Sequence, residues 1–442
     1  LSGNQPQAAD RARRNHPVGI AALDAGKRLA DTPFSFKDQQ KHAMRNAAET
    51  RVYAVQKKLS QTFQAFFHSE KSSGVLLIAC TLVSLIVTNS ARGGDYLAFW
   101  QGYAFGMSIE HWINDGLMAI FFLLIGLELE RELYSGELSN VRNALLPAFA
   151  AIGGIATPAL IHFALNAGTP TQAGIGIPMA TDIAFALGAL ALLGERVPAA
   201  LKVFVVAFAV IDDLCAIIVI ALFYTTQVSL AYLAGALLVW GGLLAINRFW
   251  RIMALAPYLV GGMIVWFCML KSGVHATIAG VMLAFAIPYS ARDNDRQSPS
   301  HRLEMLLHKP AAFLILPIFA LANTAISIAP GWTTQLSSSN SLGIGAGLVF
   351  GKPLGVTLFC ALAVMGGLCR LPQEIGWRHL FGAGILGGIG FTMSIFITNL
   401  AFPNDPGEVN AAKMAILLAS LTAGVTGLAW LAIACRPGAS TR

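Results

Sequence analysis

The run Val203-Phe-Val-Val-Ala-Phe-Ala-Val-Ile-Asp-Asp-Leu-Cys-Ala-Ile-Ile-Val-Ile-Ala-Leu-Phe-Tyr224 decides the fold class of this chain. Apart from two carboxylates it is uncharged and mostly apolar, and it exceeds the ~20 residues a helix needs to cross a bilayer. Asp212 and Asp213 sit side by side at its centre. Ionisable groups at membrane depth are costly and mark ion or proton pathways. An adjacent pair is costlier still, because each charge opposes the other. Neighbours on a helix point about 100° apart. The two carboxylates therefore cannot face one pocket squarely, and their roles must differ. Close carboxylates titrate as a coupled unit, so the pair can hold protons under one condition and a cation under another.

Working outward, the 442 residues are 55% hydrophobic and only 12% charged, with mean hydropathy +0.62. Soluble domains carry about 25% charged residues. The composition predicts an all-α polytopic membrane protein. The apolar runs are continuous rather than alternating, which argues against a β-barrel. Twelve segments are expected, at 62–90, 111–130, 143–166, 172–194, 199–224, 228–247, 255–270, 273–290, 307–328, 342–365, 380–402 and 409–435. The seventh and eighth are short and separated only by Lys271-Ser272, as a tight hairpin or two partial spans would be.

The connections carry a strong charge bias. With the tail ahead of the first span placed in the cytoplasm, inside connections hold Lys or Arg at 131, 142, 196, 202, 248, 251, 292, 296, 302, 309, 370, 378, 436 and 442. Outside connections hold only Arg92, Lys271 and Lys413. That is the positive-inside pattern of an even number of spans with both termini cytoplasmic. Residues 1–60 read as a polar, disordered cytoplasmic tail with a helix over 36–67. Residues 61–435 read as the membrane domain, and 436–442 as a short cytoplasmic tail. Residues 1–71 hold 12 Lys+Arg against 6 Asp+Glu. No nucleic-acid motif accompanies them, and a basic tail suits the anionic inner leaflet of a lipid bilayer. No signal-peptide pattern precedes the first apolar run.

Several chemistries find no support. The six cysteines form no C-x-x-C and lie mostly in apolar spans, as packing residues do. No Cys/His cluster suggests a transition metal. Walker A is absent, as is G-x-G-x-x-G after a strand, so no nucleotide and no resident cofactor is expected.

Two spans carry their own interruptions: Gly174-Ile-Gly-Ile-Pro-Met-Ala-Thr-Asp-Ile-Ala-Phe185 in the fourth and Gly382-Ala-Gly-Ile-Leu-Gly-Gly-Ile-Gly-Phe-Thr-Met-Ser394 in the eleventh. Glycines can simply let helices approach. Unwound backbone at membrane depth, however, is tolerated only where it is buried or lines a cavity. Paired interrupted spans in the two halves point to a transporter with inverted repeats. Asp182 lies in one interruption, beside Thr181, and Lys352 lies mid-span in the tenth segment. Carboxylates, hydroxyls and freed carbonyls suit a small hard cation. Asp182 can alternatively neutralise facing helix ends. Lys352 can be a counter-ion to an aspartate, a proton carrier, or a lysine reaching for the interface. Near the cytoplasmic face, Glu128, Glu130, Arg131 and Glu132 end the second span. Glu304 and His308 open the ninth, four apart and on one helical face. This set reads equally as a salt-bridged helix end or as a group that responds to pH. His275 is a lone histidine, more often structural than a ligand.

Thr181-Asp-Ile-Ala-Phe-Ala-Leu-Gly188, Ile211-Asp-Asp-Leu214, Lys271-Ser-Gly-Val-His-Ala-Thr277, Gly351-Lys-Pro-Leu-Gly355 and Gly387-Gly-Ile-Gly-Phe-Thr-Met-Ser394 together resemble the NhaA-type sodium/proton antiporters. The resemblance runs in order from Gln61 to Ala434. That family is itself an example from which the inverted-repeat rule was drawn, so rule and resemblance are not independent. The resemblance implies about 12 helices, the fourth and eleventh interrupted and crossing. It implies Asp213 as direct ligand of a sodium (Na+) or lithium ion, with Asp212 alongside, and Lys352 paired with Asp212. Asp182 would offset the dipoles of the broken helices, and Thr181 would neighbour the cation. Glu128, Arg131, Glu132, Glu304 and His308 would match a cluster linked to pH activation. Where the family pattern has a histidine after the ninth-span glutamate, this chain has Met305, so the pH set-point is not carried over.

The expectation is an electrogenic sodium(lithium)/proton antiporter of the bacterial inner membrane, not an enzyme. It would serve pH and sodium homeostasis, exchange more than one proton per cation, and form a homodimer through 91–110. The rival is an intramembrane aspartyl protease, but its two aspartates must share one proton, usually from separate helices. A channel filter of rings or repeated loops is absent.

Overall fold

The computed structural model describes residues 70–435 apart from 226–227, 291–297 and 329. The tail 1–60, the whole of the helix expected over 36–67 and the tail 436–442 lie outside the described residues. What is described is all-α apart from one antiparallel hairpin, Tyr103–Ala104 with Met107–Ser108. In lipid the backbone has no water to bond, so each apolar run closes into a helix.

Among the described residues nine helices are long and apolar enough to cross a membrane: Ile109–Tyr134, Val141–Asn166, Pro170–Leu193, Ala199–Phe223, Leu230–Trp250, Leu255–Ser272, Pro299–Asn323, Ser339–Met365 and Pro406–Ala434. Two bent pairs raise the number to at most eleven: Ser72–Thr88 with Gly93–Gln101, bent by 114°, and Trp377–Gly387 with Phe391–Ala401, bent by 46°.

The eighth expected segment, 273–290, differs. It holds only Ile278–Ala284, seven residues, or about 10 Å of helix. Gly273, in the left-handed region at φ 82°, ends the preceding helix, and Pro288 follows closely. The short helix is held by its neighbours: a Cβ on Gly280 would stand 2.1 Å from the Ala119 carbonyl oxygen. The ninth segment begins earlier than expected. Ser298 accepts from the His301 amide and Pro299 opens the helix, a favoured start.

The helices pack as two sets. In one, Val141–Asn166 lies on Ser339–Met365 and Ala199–Phe223, and Trp377–Gly387 lies on Pro406–Ala434. In the other, Ile109–Tyr134 lies on Ile278–Ala284 and the start of Pro299–Asn323, and Leu230–Trp250 lies on Leu255–Ser272. The sets meet where Ile109–Tyr134 touches Ala199–Phe223 and where Leu316–Asn323 touches Phe391–Ala401. Glu70–Thr88 packs on members of both. Within the first set Gly153 and Gly355 bring two backbones together, since a Cβ on either would fall within 2.2 Å of the other's carbonyl oxygen. This approach sets the depth of the helix that carries Lys352. Leu238 and Met263 are exposed, as side chains facing lipid are.

Candidate functional site

Both interrupted spans break in the middle of the first set. Pro170–Met179 is a tight 3-10 segment, Ala180 to Asp182 are extended, and Ile183–Leu193 resumes as α-helix. Trp377–Gly387 and Phe391–Ala401 are separated by Gly388-Ile389-Gly390. The freed backbone groups of the two breaks answer each other. The Asp182 amide donates to the Ile389 carbonyl at 2.7 Å, the Thr181 hydroxyl to the Gly387 carbonyl at 2.8 Å, and the Ser394 hydroxyl to the Ile177 carbonyl at 2.7 Å. A Cβ on Gly388 would lie 2.3 Å from the Leu348 carbonyl oxygen, so the break fits only a bare backbone there.

Asp182 caps two helices at once. Its Oδ1 accepts from the Phe185 amide at 3.1 Å, at the start of Ile183–Leu193. Its Oδ2 accepts from the Thr392 amide at 3.1 Å and from the Thr392 hydroxyl, at the start of Phe391–Ala401. Two helix N-termini, each with partial positive charge, thus share one carboxylate. Thr392 is a site residue that composition does not reveal; only the meeting of the breaks does.

Ala199–Phe223 carries Asp212 and Asp213, with 0% and 1% of their surface exposed. Lys352, also 0% exposed, donates from Nζ to Asp212 Oδ2 at 2.7 Å and to Thr181 Oγ1 at 2.9 Å. The ammonium lies 5.6 Å from the centroid of the Phe208 ring, close enough for a cation–π attraction. Asp212 Oδ1 and Asp213 Oδ1 are buried with no hydrogen-bond partner. Such groups cost free energy unless answered. The donor set is oxygen alone, which suits a hard monovalent cation or a proton. The two unanswered oxygens, Asp212 Oδ1 and Asp213 Oδ1, are what a small hard cation or a proton would meet. Lys352 thus joins Asp212 to Thr181, whose chain neighbour Asp182 holds the two helix starts, and Asp213 adjoins Asp212 along the helix.

The second set of predicted residues lies at the end of Ile109–Tyr134. Arg131 donates to Glu304 and, at 3.2 Å, to Glu132. Glu304 is buried and also meets His301 Nδ1 at 3.4 Å. Glu128 is near enough to interact electrostatically with Arg131, Glu304 and Glu132, and with Asp213 as well. Buried Glu130 accepts from Ser300 at 2.9 Å. His308 is exposed and outside this cluster, and so is Met305. The histidine that reaches Glu304 is His301, at i,i−3; the sequence pattern pointed to the i,i+4 residue instead. Nearby, a cavity of about 490 Å³ is lined by Glu132, Ser135, Asn140, Lys202 and Val206 among others. Val206 lies seven residues before Asp213, two turns or about 10 Å along the same helical face. His275 bonds the Tyr224 carbonyl at 3.0 Å, which accounts for it structurally.

A model of the family described as Na+/H+ antiporter 1 matches residues 64–431. The chain belongs to this family. Its family relatives are close. The Na(+)/H(+) antiporter NhaA of Dechloromonas aromatica is 67% identical over 376 residues, 85% of this chain and 97% of that protein. The Na(+)/H(+) antiporter NhaA 1 of Flavobacterium johnsoniae is 57% identical over 374 residues, 85% and 97% of the two chains. The NhaA of Vibrio parahaemolyticus is 47% identical over 375 residues, 84% and 97%. The antiporter family's match takes in both breaks, the tandem aspartates, Lys352 and the Arg131–Glu304 cluster.

Proposed function

We propose that this chain exchanges sodium for protons across a bacterial inner membrane. Its family and relatives are named as Na+/H+ antiporters, so it is a secondary transporter and not an enzyme. The observation that carries the reading is the buried pair Asp212 and Asp213, each with an oxygen that no protein group answers.

Asp213 is the first ligand of the cation and Asp212 its coupled neighbour, which Lys352 holds when no cation is bound. Sodium and lithium compete with protons for these carboxylates. Two acidic groups permit more than one proton per cation. Each net charge then draws about 2.3 kcal/mol from a 100 mV membrane potential. Both termini lie in the cytoplasm, so the cavity at Glu132 and Lys202 faces inward. The two helix sets rock about the paired breaks, whose helices cross as inverted repeats. A homodimer forms through 91–110, where the hairpin leaves Tyr103 and Phe105 exposed. The protease reading fares worse, because both oxygens of Asp182 are engaged with Phe185 and Thr392 and neither is free to share a proton with Asp213.

The test is proton flux in everted membrane vesicles. Added sodium or lithium collapses an imposed pH gradient if the reading is right. Absence of cation-dependent flux from about pH 6 to about pH 9, across which such groups change charge, overturns it.

A further inference from the structure

The two helix sets touch, at the hairpin end of the molecule, through a chain of three asparagines. Asn399 Nδ2 donates to Asn323 Oδ1 at 2.6 Å, and Asn323 Nδ2 donates to Asn114 Oδ1 at 2.8 Å. Asn323 is fully buried; Asn114 and Asn399 are half-buried. Asn399 stands on Phe391–Ala401, in the set that holds the site, whereas Asn323 and Asn114 stand on helices of the other set. The bond between Asn399 and Asn323 is therefore a bond across the seam.

Its position relative to the site follows from the helix. Thr392, which holds Asp182, and Asn399 are seven residues apart, two turns of about 10 Å on one face. Between them buried Phe396 packs against buried Phe122 of Ile109–Tyr134, ring centroids 5.8 Å apart. Going from Asp182 toward the hairpin end, the seam is closed first by an aromatic pair and then by the asparagine chain. At its other end the seam contains the cavity of about 490 Å³, with Glu132 from one set and Lys202 and Val206 from the other.

We propose that Asn114, Asn323 and Asn399 form the outer gate of the transport cycle, and that the Asn323–Asn399 bond breaks each time the site opens to the outside. The proposal rests on the antiport reading above. The chemistry suits a gate. Amide bonds between helices are modest in strength within a membrane, so the closure is specific in register yet reversible. Each amide, once parted, meets water entering from the outer face. An apolar contact would set no register, and a buried ion pair would leave two uncompensated charges on opening.

The experiment places Asn323→Cys and Asn399→Cys in a chain whose six native cysteines are replaced. A reducible bis-methanethiosulfonate bridges the pair, and sodium-driven proton flux is read in everted vesicles. The gate predicts loss of exchange in the bridged fraction and its return on reduction. Undiminished exchange with the bridge in place, verified by mass spectrometry, overturns the proposal. A second measurement needs no exchange activity: Asn114→Cys is labelled by a membrane-impermeant maleimide from outside intact cells. With Asn399→Ala added, labelling is faster if the amide chain closes the seam, and equal rates overturn it. A native protein without any cation-dependent flux sinks the antiport reading, while the labelling comparison still decides whether these asparagines seal the seam.

Discussion

Lys352 Nζ lies 2.7 Å from Asp212 Oδ2, both side chains wholly buried, while the adjoining Asp213 keeps a carboxylate oxygen with no hydrogen-bond partner. The two aspartates are neighbours in sequence, and Asp212 is the one that pairs with Lys352. Asp212 has one oxygen on the Lys352 ammonium and one unanswered, and Asp213 has an oxygen with no partner.

Asp213→Asn therefore removes the unmatched charge. Sodium-driven proton flux in everted vesicles is expected to fall to background. The folded protein is not destabilised, because a neutral amide at this depth costs less than an unpaired carboxylate. Thermal unfolding in detergent checks this. Full exchange by the variant would transfer the cation's first ligand elsewhere.

Lys352→Met leaves Asp212 charged, buried and alone. Breaking one side of a buried pair costs about 3–5 kcal/mol, so the unfolding temperature drops clearly. Combining it with Asp212→Asn removes both charges and recovers most of that loss. The double-mutant cycle gives the coupling directly. Additive losses would mean that the 2.7 Å contact contributes little.

Asp182→Ala tests the shared cap. Three donors, the Phe185 amide and the Thr392 amide and hydroxyl, lose their acceptor. Each unanswered buried donor costs about 1–3 kcal/mol. Hydrogen exchange at the starts of Ile183–Leu193 and Phe391–Ala401 should rise together, since one carboxylate serves both. A rise at only one start would show that the caps are independent.

How much of this was legible beforehand depends on what each feature requires. The span around Asp212 and Asp213 needs only an uninterrupted apolar run, and Ala199–Phe223 follows it closely. The breaks needed only glycine, proline and hydroxyl clusters, and they lie within the two segments that carry them. The 273–290 segment is apolar enough to suggest a span, yet its helix is seven residues long; a left-handed glycine and a proline outweigh hydropathy there. The start of Pro299–Asn323 was hidden because its first turns are polar and resemble a loop. Thr392 lies in the quoted eleventh-span interruption, but its bond to Asp182 could not be read without knowing which two breaks meet. The asparagine chain was equally hidden, since its members come from three distant helices.

The proposed competition at the carboxylates fixes the sign of a pH effect. Under the proposed mechanism protons and sodium would exclude each other at Asp212 and Asp213, and proton occupancy of a titrating group changes by up to about tenfold per pH unit. The apparent KM for sodium should rise as pH falls, with kcat at saturating sodium changing less. Initial rates over a sodium and pH grid measure both. A KM independent of pH, with only kcat falling in acid, would place the protons at groups other than the cation's ligands.

The cluster beyond the cavity distinguishes two histidines. His301 Nδ1 lies 3.4 Å from the Glu304 carboxylate, and Glu304 also receives Arg131. His308 is exposed and outside the cluster. Whether a histidine faces a glutamate three positions on or four positions back depends on how the helix is rotated, which the packing of Pro299–Asn323 on Ile109–Tyr134 decides. His301 and Arg131 share the Glu304 carboxylate, one on each oxygen. Removing His301 leaves one Glu304 oxygen without that contact and changes how the cluster holds together. His301→Gln is therefore expected to move the pH profile of exchange, measured in everted vesicles at saturating sodium, whereas His308→Gln leaves it in place. The opposite result, a profile moved by His308→Gln alone, would show that the working state brings His308 onto Glu304 and that the contact described for His301 belongs to another step of the cycle.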